Sequence, residues 1–332
     1  MQMDIDPGGY VSHGDIEALL ARVESGTANR NAGIFGPDSM SWRVNRESAL
    51  FLGAGRAALL QLAHPWVTAA LCQHSSLLAD PIARFHNTFR VVFTMIFGSL
   101  DQALAAARSL FALHTRIRGQ LPGDVAGWHR GSHYEANDVA ALRWVYATLV
   151  ESALLAYECV LPAAPAVRGA LTVAEREQYY AESKTLASLF GIPSQALPED
   201  CDHFSAYNRQ MHASDALGVS DMARHLAHNL LAGAGSWIKP PFWYRALTIE
   251  WLPERFRREF SLEFGAREKR AAERARRLLP RVYRSLPHTL RFTGPWREAR
   301  ARLAGRRPGP LTHWSNRFWI GQPLLPSSTP NP

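Results

Sequence analysis

Apolar residues recur every three or four positions along most of this chain and seldom alternate by two, so the pattern predicts helix after helix. Short amphipathic stripes cover Asp15–Glu24 and, more richly, Glu47–His64, which Pro65 is expected to break; Ala69–Leu78 reads as a brief continuation. Asp80 and Pro81 supply a cap and a first-turn proline for a helix running to Phe97 before Gly98. The segment Asp101–Gly119 follows as another helix, and Gln120–Asn137, rich in Gly, Trp and His, reads as a loop. Asp138 caps an expected helix at Val139–Glu158, and Thr172 with Glu175 forms a capping box for Val173–Phe190, which Gly191 stops. Further helices are expected at Cys201–His212, Ser220–Leu231, from Phe242 onward and at Phe264–Leu279, before a proline-rich, disordered end.

The pattern has neither an internal repeat nor a long linker. It predicts an all-α chain built as one compact domain: an extension with a short helix over 1–39, a core over 40–235, helices packed on that core over 236–320, and a disordered tail over 321–332.

One stripe carries a polar ring. Leu104, Ala107, Leu110, Phe111, His114 and Ile117 share a helical face, so His114 is aimed toward the interior with the leucines. An unpaired buried polar group costs roughly 1–3 kcal/mol, so this imidazole is either a core histidine satisfied by a neighbour or a metal ligand. A second stripe, Ile82–Phe97, places Arg84 and Thr88 four residues apart on one face. Arg84 there could pair with an anionic cofactor group such as a haem propionate, or polarise bound oxygen, with Thr88 donating beside it. The plainer alternative is a surface arginine and a threonine bonded to its own backbone. His64 precedes Pro65, where a kink can turn a side chain toward a cavity.

Composition narrows the classes. The 332 residues are 47% hydrophobic, ordinary for a globular chain. The most apolar candidate for a membrane span, Ala57–Cys72, is interrupted by Gln61, His64 and Pro65, so no transmembrane segment is expected. The start has no basic region followed by an apolar stretch, which leaves the cytoplasm as the expected location. The three cysteines include no CxxC, which leaves a disulfide framework, a cysteine zinc site and covalent haem attachment unsupported. The net charge of +8 comes largely from Arg255–Arg277 and Arg291–Arg307, where Glu is interleaved with Arg; these read as solvated faces and not as a nucleic-acid surface. There is no ExxH pair, HExxH, GxSxG, GxGxxG or P-loop.

The segments LAHPWVTAAL, RFHNTFRVVFTMIFG, LHTRIRG, YEANDVAALRWVYATLVES and YYAESKTLASLFGIP, in this order and spacing, resemble the catalytic domain shared by rubber oxygenases and the endoplasmic-reticulum-bound oxygenase of mycophenolic acid biosynthesis. The resemblance spans roughly residues 40–235. It implies a globin-related helical domain enclosing a b-haem (iron) pocket and oxidation of an apolar, isoprenoid or alkenyl, substrate by O2. By resemblance His114 is the axial ligand, Arg84 and Thr88 match the distal arginine and threonine, and His64 stands near the distal side. Thr148 is carried over as a cofactor contact, with Trp144 and Glu151 as supporting residues. Asn87 stands where rubber oxygenases have lysine, and Tyr146 where many relatives have histidine; these departures imply the shared cofactor with another substrate or reaction. Two further readings remain open: a haem sensor or carrier without turnover, and a cofactor-free helical interaction protein. The sequence leaves the oligomeric state undetermined.

Overall fold

The computed structural model describes residues 9–74, 81–161, 171–235 and 239–328. The chain is all-α: 68% helical, with sixteen α-helices and two short strands among the described residues. It opens with α1 (His13–Gly26) and α2 (Met40–Asn45), followed by a 3₁₀ turn at Ser48–Gly53, α3 (Ala54–Leu62) and α4 (Pro65–His74). The expected single helix Glu47–His64 is therefore two pieces. The expected break is present at Ala63 and His64, and Pro65 then begins α4, because a proline at the first helical position gives up only an N–H that has no intrahelical partner. The end of the expected Ala69–Leu78 helix lies outside the described residues beyond His74.

Helices α5 (Pro81–Phe97) and α6 (Leu100–Thr115) form an antiparallel hairpin turned by Gly98 and Ser99. A Cβ at Gly98 would lie 2.4 Å from the Thr94 carbonyl oxygen, so only glycine fits this corner. Ser99 then caps α6 reciprocally with Gln102. The expected loop contains a small antiparallel ladder, β1 (Arg118–Gln120) with β2 (His133–Glu135), too short to leave an alternating pattern.

The central helix is α7 (Val139–Val160), whose Asp138 cap accepts from the Ala141 amide at 2.8 Å. It is the one described helix long and apolar enough to cross a membrane, in place of the expected candidate Ala57–Cys72, and it packs against α3 and the 3₁₀ turn with Trp144, Tyr146 and Val150 buried. Next come α8 (Val173–Leu189), with its predicted capping box, α9 (Cys201–Ala213), α10 (Asp221–Ala232), α11 (Phe242–Glu250) and α12 (Glu254–Glu259). In α13 (Ala266–Ser285) the helix continues through Pro280, past its expected end at Leu279. The chain finishes with α14 (His288–Arg291), α15 (Gly294–Leu303) and α16 (Pro310–Ile320). The start of the expected disordered tail is instead fastened down. Leu325 is buried, its amide donates to the Glu298 carboxylate at 3.0 Å, and Gln102 Nε2 donates to the Pro326 carbonyl at 2.7 Å.

One large core draws on helices from α1 through α16, with Ile16, Leu59, Phe97, Trp144, Phe256 and Ile320 all in it. Beside it, Phe85, Phe89 and Phe93 of α5 surround Phe51, which stacks on Trp319 of α16 with ring centroids 3.6 Å apart. This ladder clamps one side of α5 and leaves the Arg84–Thr88 stripe on another.

Candidate functional site

Arg84 lies 14 residues before Gly98 and His114 lies 15 after Ser99. At about 1.5 Å of rise per residue, both sit roughly 21–22 Å from the corner, side by side at the open end of the hairpin. The electrostatics agree: the Arg84 charge acts directly on the His114 imidazole. Burial and that positive neighbour together hold the His114 pKa down at about 4, burial being the larger cause, so the ring is neutral at pH 7.

Arg84 is reached by solvent, yet the protein around it lowers its guanidinium pKa by desolvation. Its guanidinium is therefore flanked by protein while part of the side chain still meets solvent. Among the described residues neither the Arg84 guanidinium nor the His114 ring has a hydrogen-bond or ion-pair partner. From 82 to 92 and from 108 to 120 every residue keeps some exposure to solvent, whereas 93 to 98 are all buried; the His114 ring is packed against protein while part of the residue remains exposed. The hairpin thus packs tightly at its corner and opens where the cation and the imidazole stand. Val91 on the Arg84 stripe and Leu110 on the His114 stripe are half-buried apolar neighbours that the functional reading of the sequence did not single out. Their signal was the Ala103, Ala107, Leu110, His114 series, small residues giving way to large ones toward the open end.

The other expected site residues go elsewhere. Thr88 donates its hydroxyl to the Arg84 carbonyl at 3.1 Å, the bond to its own helix that the plainer reading expects. Thr148 is buried in the core, donating to the Val145 carbonyl at 2.7 Å and accepting from Gln61 at 2.9 Å. Trp144 donates to the Leu60 carbonyl at 3.0 Å, and Glu151 pairs with the buried Arg56 at 2.6 Å. Tyr146 meets Ser183 at 2.6 Å. Asn87 accepts from Arg90 on the exposed side of α5.

His64 is buried in a separate aromatic nest, with ring centroids 6.1 Å from Trp66 and 6.2 Å from Trp128. Its pKa falls to about 4 from burial alone, with no contribution from Arg84, and its Nδ1 and the Trp66 Nε1 lack partners. His74 meets the Arg118 carbonyl at 3.1 Å and His86 the Phe318 carbonyl at 3.0 Å, so both are engaged elsewhere.

Among the described residues no three His, Cys, Asp or Glu side chains gather into a metal cage. His114 therefore offers a single protein ligand. A family model described as "ER-bound oxygenase mpaB/B'/Rubber oxygenase, catalytic domain" matches residues 42–284. The chain belongs to this oxygenase family. No curated protein and no solved structure matches it. The oxygenase domain so matched contains the whole α5–α6 hairpin and extends through most of α13.

Proposed function

We propose that the chain is a b-haem-dependent oxygenase acting with O2 on a small apolar, isoprenoid or alkenyl, substrate. The observation that carries this reading is a neutral imidazole acted on by a neighbouring, desolvated guanidinium that has no partner among the described residues. The donor set fits the group: one lone pair for iron, one cation for a propionate or an oxygen atom, and, among the described residues, no carboxylate paired with either. A porphyrin fills four equatorial positions itself, so a single histidine is enough to hold it. When bound, b-haem supplies an iron that takes up and activates O2.

The chain's own residues contribute the rest. Burial, with the Arg84 charge adding to it, keeps the His114 ring unprotonated and its nitrogen lone pair available at neutral pH. The planar fork of Arg84 suits a carboxylate in a water-poor setting, and in its other role it donates to developing negative charge. Thr88, with its proton spent on the Arg84 carbonyl, stiffens that turn and leaves its oxygen as an acceptor. Val91 and Leu110 keep the walls apolar, which favours an apolar substrate over water. Arg84→Ala is expected to impair haem retention or turnover, and Arg84→Lys to rescue it only in part, because the charge returns without the fork.

The test is the visible spectrum of protein purified from cells supplied with a haem precursor. A Soret band with pigment released by acid–acetone and one iron per chain supports the reading. Colourless protein, covalently retained haem, or zinc in place of iron contradicts it.

A further inference from the structure

Helix α16 is folded inside out. Its buried face carries Thr312, Ser315 and Asn316 with Ile320, while its solvent face carries Leu311, Trp314 and Phe318 at 44, 57 and 40% exposure. Positions i, i+3 and i+7 fall on one stripe, so the three large apolar side chains are contiguous. Trp314 and Phe318 stack with ring centroids 6.0 Å apart, and Leu324, just past the helix, is 41% exposed. The inversion is locked from within. Asn316 donates to Glu298 at 2.7 Å and to the Pro323 carbonyl at 3.0 Å, and Trp319 stacks on Phe51. Rolling the helix to bury the stripe would break all three contacts.

The stretch of chain that carries the stripe holds one sign of charge. Residues 299–332 contain five arginines and no Asp or Glu. Arg306, Arg307 and Arg317 are exposed and, among the described residues, their guanidinium groups have no partner. Residues 239–328 as a whole hold 20 of the chain's 37 Lys and Arg against 7 of its 29 Asp and Glu.

We propose that this face docks on the surface of an anionic lipid bilayer, with Leu311, Trp314 and Phe318 entering the boundary between headgroups and acyl chains and Arg306, Arg307 and Arg317 meeting lipid phosphates. Charge selects the occupant. A second copy of the chain would bring the same arginines to the contact, and a nucleic acid would leave the aromatic stripe in water. Because the Phe318 carbonyl and the His86 ring of α5 are 3.0 Å apart, the docked helix lies directly behind the one that carries Arg84. The dock itself does not depend on the cofactor assignment.

The test is sedimentation of the full-length protein with vesicles of phosphatidylcholine alone and of phosphatidylcholine mixed with phosphatidylglycerol. Wild type is expected to pellet with the anionic vesicles, to release as salt is raised, and to partition far less onto the neutral ones. Trp314→Ser with Phe318→Ser should weaken binding tenfold or more. Replacing Arg306, Arg307 and Arg317 by Gln should cost about fivefold per arginine. Both variants should keep the wild-type far-ultraviolet circular dichroism, since every altered side chain is exposed. Absence of binding, or equal partition onto neutral and anionic vesicles, overturns the proposal. So does a wild-type dimer, seen by light scattering, that Trp314→Ser with Phe318→Ser converts to monomer, because it assigns the stripe to a second copy.

Discussion

The two ends of the α5–α6 hairpin are made by the same pair of helices and finished in opposite ways. At the corner, Phe93, Phe97, Leu100, Ala103 and Ala107 are buried, and the Trp42 indole donates to the Ile96 carbonyl at 3.0 Å. At the far end Arg84, Thr88, Leu110 and His114 are all partly or fully open to solvent. Apolar content does not explain the contrast, because Val91, Val92, Leu110 and Phe111 belong to the open half. What differs is that the open end contains a cation and an imidazole that lack partners among the described residues and are already partly desolvated, so closing over them fully would add to a cost that nothing there repays. A packed corner fixes the geometry, and an unclosed end keeps that geometry available to a group that supplies the missing partners.

The largest effect on stability belongs to the packed end. Phe97→Ala is expected to destabilise the protein by about 3–5 kcal/mol in urea unfolding, while Leu110→Ala at the open end should cost well under half of that. Similar costs at both positions would erase the distinction between the two ends.

Acid sensitivity is next. His64 ionises near 4 in the folded protein against about 6.5 unfolded, so above pH 6.5 it is neutral in both states and costs nothing. As pH falls from 6.5 to 4 the unfolded chain takes up the proton and the folded one does not, removing about 3 kcal/mol of stability for this residue alone. His114 and His212 are lowered to about the same value by burial and add to the same window. Unfolding curves at pH 7 and pH 4.5 measure it, and His64→Phe should flatten the dependence; a flat wild-type profile would contradict the burial of these rings.

Removing the charge of Arg84 sharpens the comparison further. In Arg84→Gln the His114 pKa should rise from about 4 toward its ordinary value, because one of its two depressing causes is gone, though burial remains. Imidazole proton shifts followed against pH read this directly, and an unmoved His114 would separate the two residues. The smallest effect is expected from Thr88→Val, below about 1 kcal/mol in stability, since only a hydroxyl bond within one exposed turn is lost.

Local chemistry made much of the fold legible. The bounds of the α5 helix follow from Pro81 and Gly98, and the starts of α7 and α8 from Asp138 and the Thr172–Glu175 box, because each is decided by a cap or a breaker a few residues away. What escaped depends on distant partners: the packing of residues 321–328 on Glu298 and Gln102, and the three-residue ladder held by register alone. In the site, the shared face of Arg84 and Thr88 is a matter of spacing and was visible. The juxtaposition of Arg84 and His114 needs the hairpin, and their equal distance from Gly98–Ser99 is the signal that could have found it. His64 and Thr148 were grouped with the site through resemblance, whereas in the fold one sits in a tryptophan nest and the other is satisfied inside the core.

We propose that a haem would be held at the open end of the hairpin, through His114. Haem titration into the apoprotein, read at the Soret band, tests it most directly when wild type is compared with His114→Ala and His64→Ala. One haem per chain is expected for wild type and for His64→Ala, and loss of stoichiometric binding for His114→Ala with circular dichroism unchanged. Full occupancy in His114→Ala together with loss in His64→Ala would contradict it and move the cofactor to the tryptophan nest.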